Sequence, residues 1–155
     1  MTLRDDEPSP QNYLGTAVKQ LVPAAVAERG IELSVTTDAP SYSRGEPIEI
    51  TVTIRNRLPA PVVITTADRR VWSWSVDGLD EGSDEDRYIE SVPNSIEFGP
   101  RERRQFVERW DGLIRRTGAV DRWLPLHRTE HRIRAWLRTN ATGQVIDDEV
   151  EFTVE

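Results

Sequence analysis

The sequence contains no cysteine, which excludes disulfides and thiolate chemistry from this protein. Lysine is almost absent, because Lys19 is the single lysine and all other basic residues are arginine. No apolar run approaches the ~20 residues that a membrane-spanning helix needs. The N-terminus has acidic residues where a signal peptide has basic and then apolar ones. These absences predict a soluble, cytoplasmic protein.

Acidic residues are in surplus, with 27 Asp and Glu against 20 Lys and Arg, for a net charge of −7 over 155 residues. A net negative chain is a poor general binder of nucleic acid or anionic membrane, so neither is expected as a partner. Few lysines, many arginines and surplus acids suit a chain that stays soluble in concentrated salt. High-GC coding would give the same bias.

The charges are segregated along the chain. Residues 77–97 carry eight acids and one arginine, a net charge of −7, and residues 98–138 carry eleven arginines and five acids, a net charge of +6. Residues 139–155 have a net charge of −5. We expect these charges to cancel across neighbouring strands, as cross-strand pairs do.

The length predicts one domain, preceded by two N-terminal segments. Residues 1–10 are polar with two prolines and predict a disordered tail. Residues 11–30 predict an N-terminal helix that Pro23 breaks or restarts and that Gly30 ends. Apolar residues at helical spacing support this helix: Leu14, Val18, Leu21 and Val22.

Residues 31–155 have a period of two instead. Apolar and polar residues alternate in short runs between turn signals: 31–36, 48–55, 62–66, 71–76, 95–98, 103–110, 131–138 and 150–154. The pattern predicts an all-β fold, an immunoglobulin-like antiparallel β-sandwich with one N-terminal helix. Trp72 and Trp74 fall on one face of their strand, where we expect them to fill the core.

Three segments, VWSWSVDG, SIEFGPRERRQFVERWDG and LPLHRTEHRIRAWLRT, occur in that order. Over residues 62–138 the sequence resembles the bacterial intracellular proteinase inhibitor (BsuPI) family. The matching residues are Pro100, Glu102, Phe106 and Trp110 in the middle block and His131, Ile133 and Ala135 in the last block. The glycine that the family has before its last strand is replaced within HRTE. The resemblance implies an immunoglobulin-like sandwich and proteinase inhibition.

A second resemblance extends over roughly residues 20–154. The segments NRLPAPV and W-x-W-x-V-D-G resemble those of an uncharacterised family of halophilic archaeal proteins. This resemblance also implies an immunoglobulin-like domain, and fold alone does not assign a function.

His127 and His131 form an H-x-x-E-H motif, the pattern of inverted zinc peptidases. That motif needs a helix, whereas a period-two strand begins here, and two residues four apart on a strand are ~13 Å apart. We therefore expect chance spacing. With two histidines and no cysteine, a nucleophile–base pair is hard to assemble. No catalytic residue, cofactor or metal ligand is expected, and the protein is predicted not to be an enzyme.

Acidic residues crowd positions 77–86. The six acids of this stretch are Asp77, Asp80, Glu81, Asp84, Glu85 and Asp86. The spacing of an EF-hand is absent, so a solvated loop is the first interpretation and a weak cation site the second.

A long connection, Gly112 to Thr129, is the first candidate for partner binding, because long loops with apolar tips tend to be functional or to pack as an extra element. Trp123 is the proposed anchor, with Leu124 and Leu126 beside it. Proline within Trp-Leu-Pro-Leu could stiffen a loop that docks in a protease as substrate does.

Trp136 is the second candidate, since it shares a strand face with Arg134 and Arg138. One interpretation is a structural cation–π stack on an outer sheet face. The other is an exposed aromatic–arginine hot spot, the composition that dominates protein interfaces.

Three functional hypotheses follow. The first is a non-catalytic module that binds another protein, with a protease as one possible partner. The alternative is a structural or accessory subunit that docks through its N-terminal helix. The third is a metal-dependent hydrolase based on H-x-x-E-H and the acidic stretch.

Overall fold

A computed structural model describes residues 22–85 and 88–155. This part of the chain contains one short helix, α1 (Ala24–Arg29), and twelve strands. The strands are β1 (Ile31–Thr37), β2 (Ser41–Tyr42), β3 (Ile48–Asn56), β4 (Val62–Thr66), β5 (Ser73–Val76), β6 (Leu79–Asp80), β7 (Asn94–Phe98), β8 (Arg103–Trp110), β9 (Leu113–Arg116), β10 (Arg122–Pro125), β11 (Glu130–Arg138) and β12 (Val145–Val154).

Two sheets form a sandwich. One has the order β1-β3-β8, and the other has the order β2-β12-β11-β5-β6. Their pairs are antiparallel, except that β2 runs parallel to β12. The apolar faces of both sheets share one core. The predicted all-β, immunoglobulin-like sandwich is confirmed.

Strand β3 shows how the sequence pattern builds this core. Its alternate residues Ile48, Ile50, Val52 and Ile54 are at most 2% exposed. Burying such a side chain fully is worth about 1.5–3 kcal/mol, so the alternation fixes which face of the strand points inward. Strand β11 repeats the pattern at the centre of the other sheet.

The two tryptophans near β5 differ in depth. Trp74 is 5% exposed and packs against Trp110, with ring centroids 5.7 Å apart. Trp72 lies just before the strand, is half-buried, and packs against Phe106 at 6.1 Å. The predicted core position is therefore confirmed for Trp74, whereas Trp72 covers the margin of the core.

The connection from Gly112 to Thr129 is not the long loop that the sequence predicted. It contains a two-stranded antiparallel sheet of β9 and β10, called here the hairpin. Gly112 has φ +76°, and a Cβ there would lie 2.4 Å from the carbonyl oxygen of Glu46. Only glycine fits such a position, so the hairpin begins in close contact with the turn before β3.

Helix α1 begins after Pro23 and ends before Gly30, the two positions at which the sequence predicted a break and an end. The tail predicted over residues 1–10 and the part of the predicted helix at 11–21 lie outside the described residues. No helix within residues 22–85 and 88–155 is long and apolar enough to cross a membrane.

Glu28 fastens α1 to the opposite sheet. Its side chain is buried, and its carboxylate accepts hydrogen bonds from the Ala141 backbone N–H at 3.2 Å and the Thr142 hydroxyl at 2.5 Å. Both partners belong to the turn between β11 and β12. The described helix is thus part of the domain's own packing.

Candidate functional site

The hairpin carries two neighbouring apolar side chains that face solvent. Trp123 is 55% exposed and Leu124 is 47% exposed. Successive residues of a strand point to opposite faces, so Trp123 lies on the side of its partner Arg115, and Leu124 lies on the side of Ile114. We call the side of the hairpin that carries Trp123 the hairpin surface; Leu124 lies on the opposite side.

Leu126 is not available to a partner, which corrects the sequence prediction. It is 6% exposed and belongs to the core, because burial of an apolar side chain stabilises the fold more than its exposure does. The backbone from Trp123 to Pro125 is already paired with β9. The expected free, substrate-like loop is therefore replaced by a strand.

Arg115 holds the hairpin to the acidic stretch. Its guanidinium donates to Glu85 at 2.6 Å and to Asp121 at 2.7 Å, and it lies 5.9 Å from the centroid of the Trp123 ring. The hydrogen bond to Asp121 is the main reason why the pKa of Arg115 is raised. The tryptophan is thus presented on a strand with fixed neighbours.

Asp84 makes a second connection between the same two segments. One oxygen accepts hydrogen bonds from the Thr117 backbone N–H at 2.8 Å and its hydroxyl at 2.9 Å. These two bonds lower the pKa of Asp84. Nearby, Glu81 forms an ion pair with Arg70. The carboxylates of Asp84 and Glu81 thus contact other protein groups, as expected for charges that cancel between segments. Asp86 lies outside the described residues.

The second candidate lies on the outer face of β11. The Arg134 guanidinium stacks 4.9 Å from the centroid of the half-buried Trp136 ring, and its Nε donates to Asp147 at 2.8 Å. Arg138 is exposed at the end of the strand, opposite Val145, and takes no part in this stack. The structure therefore joins two of the three predicted residues, here called the arginine–tryptophan face.

A groove of about 640 Å³ runs beside this face. Arg132, on its wall, pairs with Glu151 at 2.8 Å and Glu149 at 3.4 Å. The hydrogen bond that Arg132 donates to Glu151 is the largest cause of the raised pKa of Arg132. Arginines of β11 and acids of β12 thus neutralise one another along the groove.

The H-x-x-E-H motif has a structural role. His131 is 7% exposed, with Nδ1 2.6 Å from the Asp77 carboxylate and Nε2 2.7 Å from the His127 carbonyl oxygen. Both ring nitrogens are occupied, and the motif leads into an extended strand, so the two imidazoles cannot share a zinc ion as they would on a helix. Within residues 22–85 and 88–155, no group of three or more His, Cys, Asp or Glu could hold a metal ion.

A cavity of about 450 Å³ lies beneath the Leu124 side of the hairpin, and we call it the hairpin cavity. Its lining is mostly apolar and includes Leu79, Ile114 and Leu126, with two arginines, Arg44 and Arg116. Sequence reasoning missed this site, because Leu79 and Arg44 come from turns far away in the chain. No local pattern indicates that they meet.

The sequence matches the model of a family of unknown function, DUF7974, over residues 19–155. No curated protein matches it. The resemblance to the proteinase inhibitor family stays a prediction, as does the halophilic origin of the second resemblance.

Three solved structures are similar in fold. The CARDB domain of a Pyrococcus furiosus protein is 14% identical, with 81% of this chain and 94% of that chain covered and a TM-score of 0.46. The sporulation control protein Spo0M of Bacillus subtilis is 14% identical over 81% of this chain and 49% of its own, with a TM-score of 0.47. A β-glucosidase of Erythrobacter marinus is 13% identical over 81% of this chain and 15% of its own, with a TM-score of 0.48.

Proposed function

The chain belongs to the family DUF7974, and we propose that it is a non-catalytic module that binds another protein through its hairpin surface. The observation that carries this proposal is the exposure of Trp123, at 55%, on a short strand whose backbone is already paired with β9. Large aromatic side chains are enriched among the residues that dominate binding energy. An exposed tryptophan on a strand that is held in place therefore favours a contact surface on the Trp123 side of the hairpin.

The rigidity of the hairpin supports the same proposal. Arg115 and Asp84 tie it to the acidic stretch, as described above, and the Nε of Arg44 donates to the Leu126 carbonyl at 3.2 Å on its other side. Binding costs less conformational entropy when the contact residues are already held in place. The hairpin is thus suited to presenting Trp123 as an anchor.

The arginine–tryptophan face is the weaker candidate for a contact surface. Arg134 is already engaged by Asp147 and by the Trp136 ring. A partner would have to displace these contacts before it gained new ones. We propose that this face contributes to the rim of an interface at most.

Proteinase inhibition is the finer version of the proposal. Inhibition by a substrate-like loop would need residues 123–125 to separate from β9, and Leu126 to leave the core. A contact made by the hairpin as a folded unit requires neither change. We therefore propose protein binding without assigning a protease as the partner.

The alternative of an accessory subunit that docks through the N-terminal helix depends on the helix predicted over residues 11–30, of which residues 11–21 lie outside the described residues. The described helix α1 has its buried residues, Ala27 and Glu28, inside its own domain. Val26, 46% exposed, is its main outward apolar side chain. This small surface favours the hairpin over α1 as the point of contact.

The test is capture of a partner from a lysate of the source organism, with wild-type protein and three variants as bait. Trp123→Ala removes the anchor, Trp136→Ala removes the second face, and Arg103→Ala removes an exposed arginine of β8 as a control. We expect a protein that is retained by wild type and Arg103→Ala and lost with Trp123→Ala. Thermal unfolding of each variant verifies that it is folded.

The captured protein is then purified and titrated. Loss of a hot-spot tryptophan costs 2 kcal/mol or more of binding free energy. Trp123→Ala should therefore raise the dissociation constant by about 30-fold or more. Trp136→Ala should raise the dissociation constant by less than about tenfold. Equal affinity of wild type and Trp123→Ala for every captured protein would show that the hairpin surface is not the contact.

A further inference from the structure

We infer that the hairpin cavity is a binding site for a small apolar carboxylate. This inference is independent of the proposed protein contact, because the ligand would lie beneath the hairpin rather than against its outer surface. The volume of about 450 Å³ falls within the roughly 300–1,000 Å³ of small-molecule sites. Such sites combine apolar walls with a few polar groups that orient the ligand.

The walls supply the apolar half of this description. Leu79 comes from the β5–β6 hairpin, Ile114 and Leu124 come from β9 and β10, and Leu126 lies where the chain leaves β10. Leu124 is 47% exposed, so an alkyl or aryl group in the cavity would cover apolar surface that now contacts water. Each buried methylene group would contribute about 0.8 kcal/mol.

Two arginines supply the cationic half. Arg44 uses Nε for the Leu126 carbonyl at 3.2 Å, and no carboxylate among the described residues forms an ion pair with it. Arg116 has one such contact within the described part of the chain, to Asp84 at 4.0 Å. The two hydrogen bonds from Thr117 use the other oxygen of Asp84, and 4.0 Å is too long for a hydrogen bond between Arg116 and Asp84. Both guanidinium groups therefore have donors to spare.

The one acidic residue of the cavity lining, Asp77, offsets at most one of these two arginine charges. Asp77 has one oxygen on His131 Nδ1 at 2.6 Å and the other on the Arg132 backbone N–H at 2.9 Å. Both ring nitrogens of His131 make hydrogen bonds, Nδ1 with Asp77 and Nε2 with the backbone carbonyl of His127. His127 itself is exposed. The cavity is thus apolar, with an excess of positive charge.

The apolar walls and the two arginines together determine which head group a ligand of the cavity should have. A planar carboxylate matches the fork of a guanidinium, and charge-assisted hydrogen bonds of this kind are about twice as strong as neutral ones. A primary amine would be repelled by the arginines, and an alcohol would leave their charge without a counterion. An apolar chain that ends in one carboxylate satisfies both halves of the cavity.

Octanoate is the probe for the test, with octanol and octylamine as matched ligands that differ in head group. The full chain, labelled with ¹⁵N, is titrated with each ligand, and amide shifts and calorimetry are recorded. We expect saturable shifts at Leu79, Ile114 and Leu126 with octanoate. Octanol should bind at least about tenfold more weakly, as the loss of one charged contact implies, and octylamine should not bind.

Variants separate the role of each arginine from folding. Arg116→Ala removes a side chain for which the structure records no hydrogen bond to the hairpin backbone, and it should weaken octanoate binding by about tenfold. Arg44→Ala should do the same, although it also removes the contact with Leu126. Arg103→Ala, which keeps the cavity intact, should bind octanoate as wild type does.

Three results would overturn the inference. One is the absence of saturable binding at millimolar octanoate, and another is a set of shifts outside the cavity. The third is equal affinity for octanoate and octanol, or for wild type and Arg116→Ala, because the arginines would then not select the ligand. The capture experiment with Trp123→Ala is unaffected by any of these results, so the two proposals fail separately.

Discussion

A single buried imidazole joins three parts of the molecule. His131 contacts Asp77 in the turn after β5, the carbonyl of His127 in the segment after β10, and the ring of Phe152 at 5.6 Å. Asp77 also has φ 49°, in the left-handed region that non-glycine residues rarely adopt. The hydrogen bonds to His131 and to the Arg132 N–H hold the turn in this conformation.

Replacement of His131 by phenylalanine should be strongly destabilising. Phenylalanine is larger than histidine and cannot form the hydrogen bonds to the Asp77 carboxylate and the His127 carbonyl. Overpacking of the buried position and loss of these bonds both cost stability. We expect the free energy of unfolding to fall by about 2–4 kcal/mol, measured by urea denaturation. His127→Ala is the control, since only its backbone takes part, and it should change stability by less than about 0.5 kcal/mol. Equal losses in both variants would contradict this role.

Sequence alone predicted half of this arrangement. The alternation of His131, Ile133 and Ala135 placed the histidine on the inward face of its strand, and all three are buried. Its partner Asp77 is 54 positions away, and a contact over that distance leaves no periodic signal. Arg44 was missed as a cavity residue for the same reason, since 82 positions separate it from Leu126.

Among the elements, strands with a clear sequence pattern were predicted best, whereas only residues 150–154 of the ten-residue β12 were predicted, and β9 and β10 were not. Strands β3 and β11 each have nine residues, enough for the period of two to be recognised. Strands β9 and β10 have four residues each, too few for a period to stand out. Successive residues of β9 also hide the alternation, because Leu113 and Ile114 are both apolar and Arg115 and Arg116 are both charged.

The start of the hairpin should be sensitive to one methyl group. In Gly112→Ala, the new Cβ would lie 2.4 Å from the Glu46 carbonyl oxygen and the residue would keep φ +76°. Gly143→Ala is a matched control, because its φ of +66° is similar and nothing lies within 4 Å. We expect a loss of about 1–2 kcal/mol for Gly143→Ala from the backbone alone and a clearly larger loss for Gly112→Ala.

Thermal unfolding of the two glycine variants provides this comparison. Equal changes in unfolding free energy would mean that the turn before β3 moves away from the hairpin at little cost. A larger loss for Gly112→Ala would show that the contact between the hairpin and that turn is rigid. The same rigidity would hold Trp123 in place as an anchor for a partner.

Over the whole molecule, the segregated charges of the sequence meet in space. Glu85 and Asp84 of the acidic stretch contact Arg115 and Arg116, and the acids of β12 pair with arginines of β11. The sequence predicted this cancellation from segment charges, but it could not say which segments are neighbours. The suitability of the composition for concentrated salt stays a prediction.

The free energy of unfolding should depend on pH through three carboxyl groups, those of Asp38, Asp84 and Glu102. The pKa of Asp38 lies below its ordinary value of 3.8, chiefly because the Tyr42 hydroxyl donates to it. The pKa of Asp84 is lowered by Thr117, and that of Glu102 by the Gly99 N–H. A lowered folded-state pKa stabilises the fold above the unfolded-state value, and this contribution is lost as pH falls through the folded-state value.

We therefore expect these groups to leave stability constant above about pH 5 and to reduce it below about pH 4. Asp38→Asn removes one of the titrating carboxylates, so it should lower the free energy of unfolding at neutral pH. It should also reduce the acid limb, which is the fall in unfolding free energy below about pH 4. Asp80→Asn, an exposed control, should leave the limb unchanged. Urea denaturation between pH 3 and pH 7 measures both slopes, and an equal acid limb in wild type and Asp38→Asn would contradict the assignment.

Strand β8 closes one side of its sheet, since β3 is its only partner among the described strands. Its exposed side chains include Arg103, Glu108 and Arg109. A strand from a second molecule that added to this edge would have to strip water from those charges. The border of the sheet thus disfavours growth into larger β-assemblies, which protects a strand-rich chain from aggregation when it is concentrated.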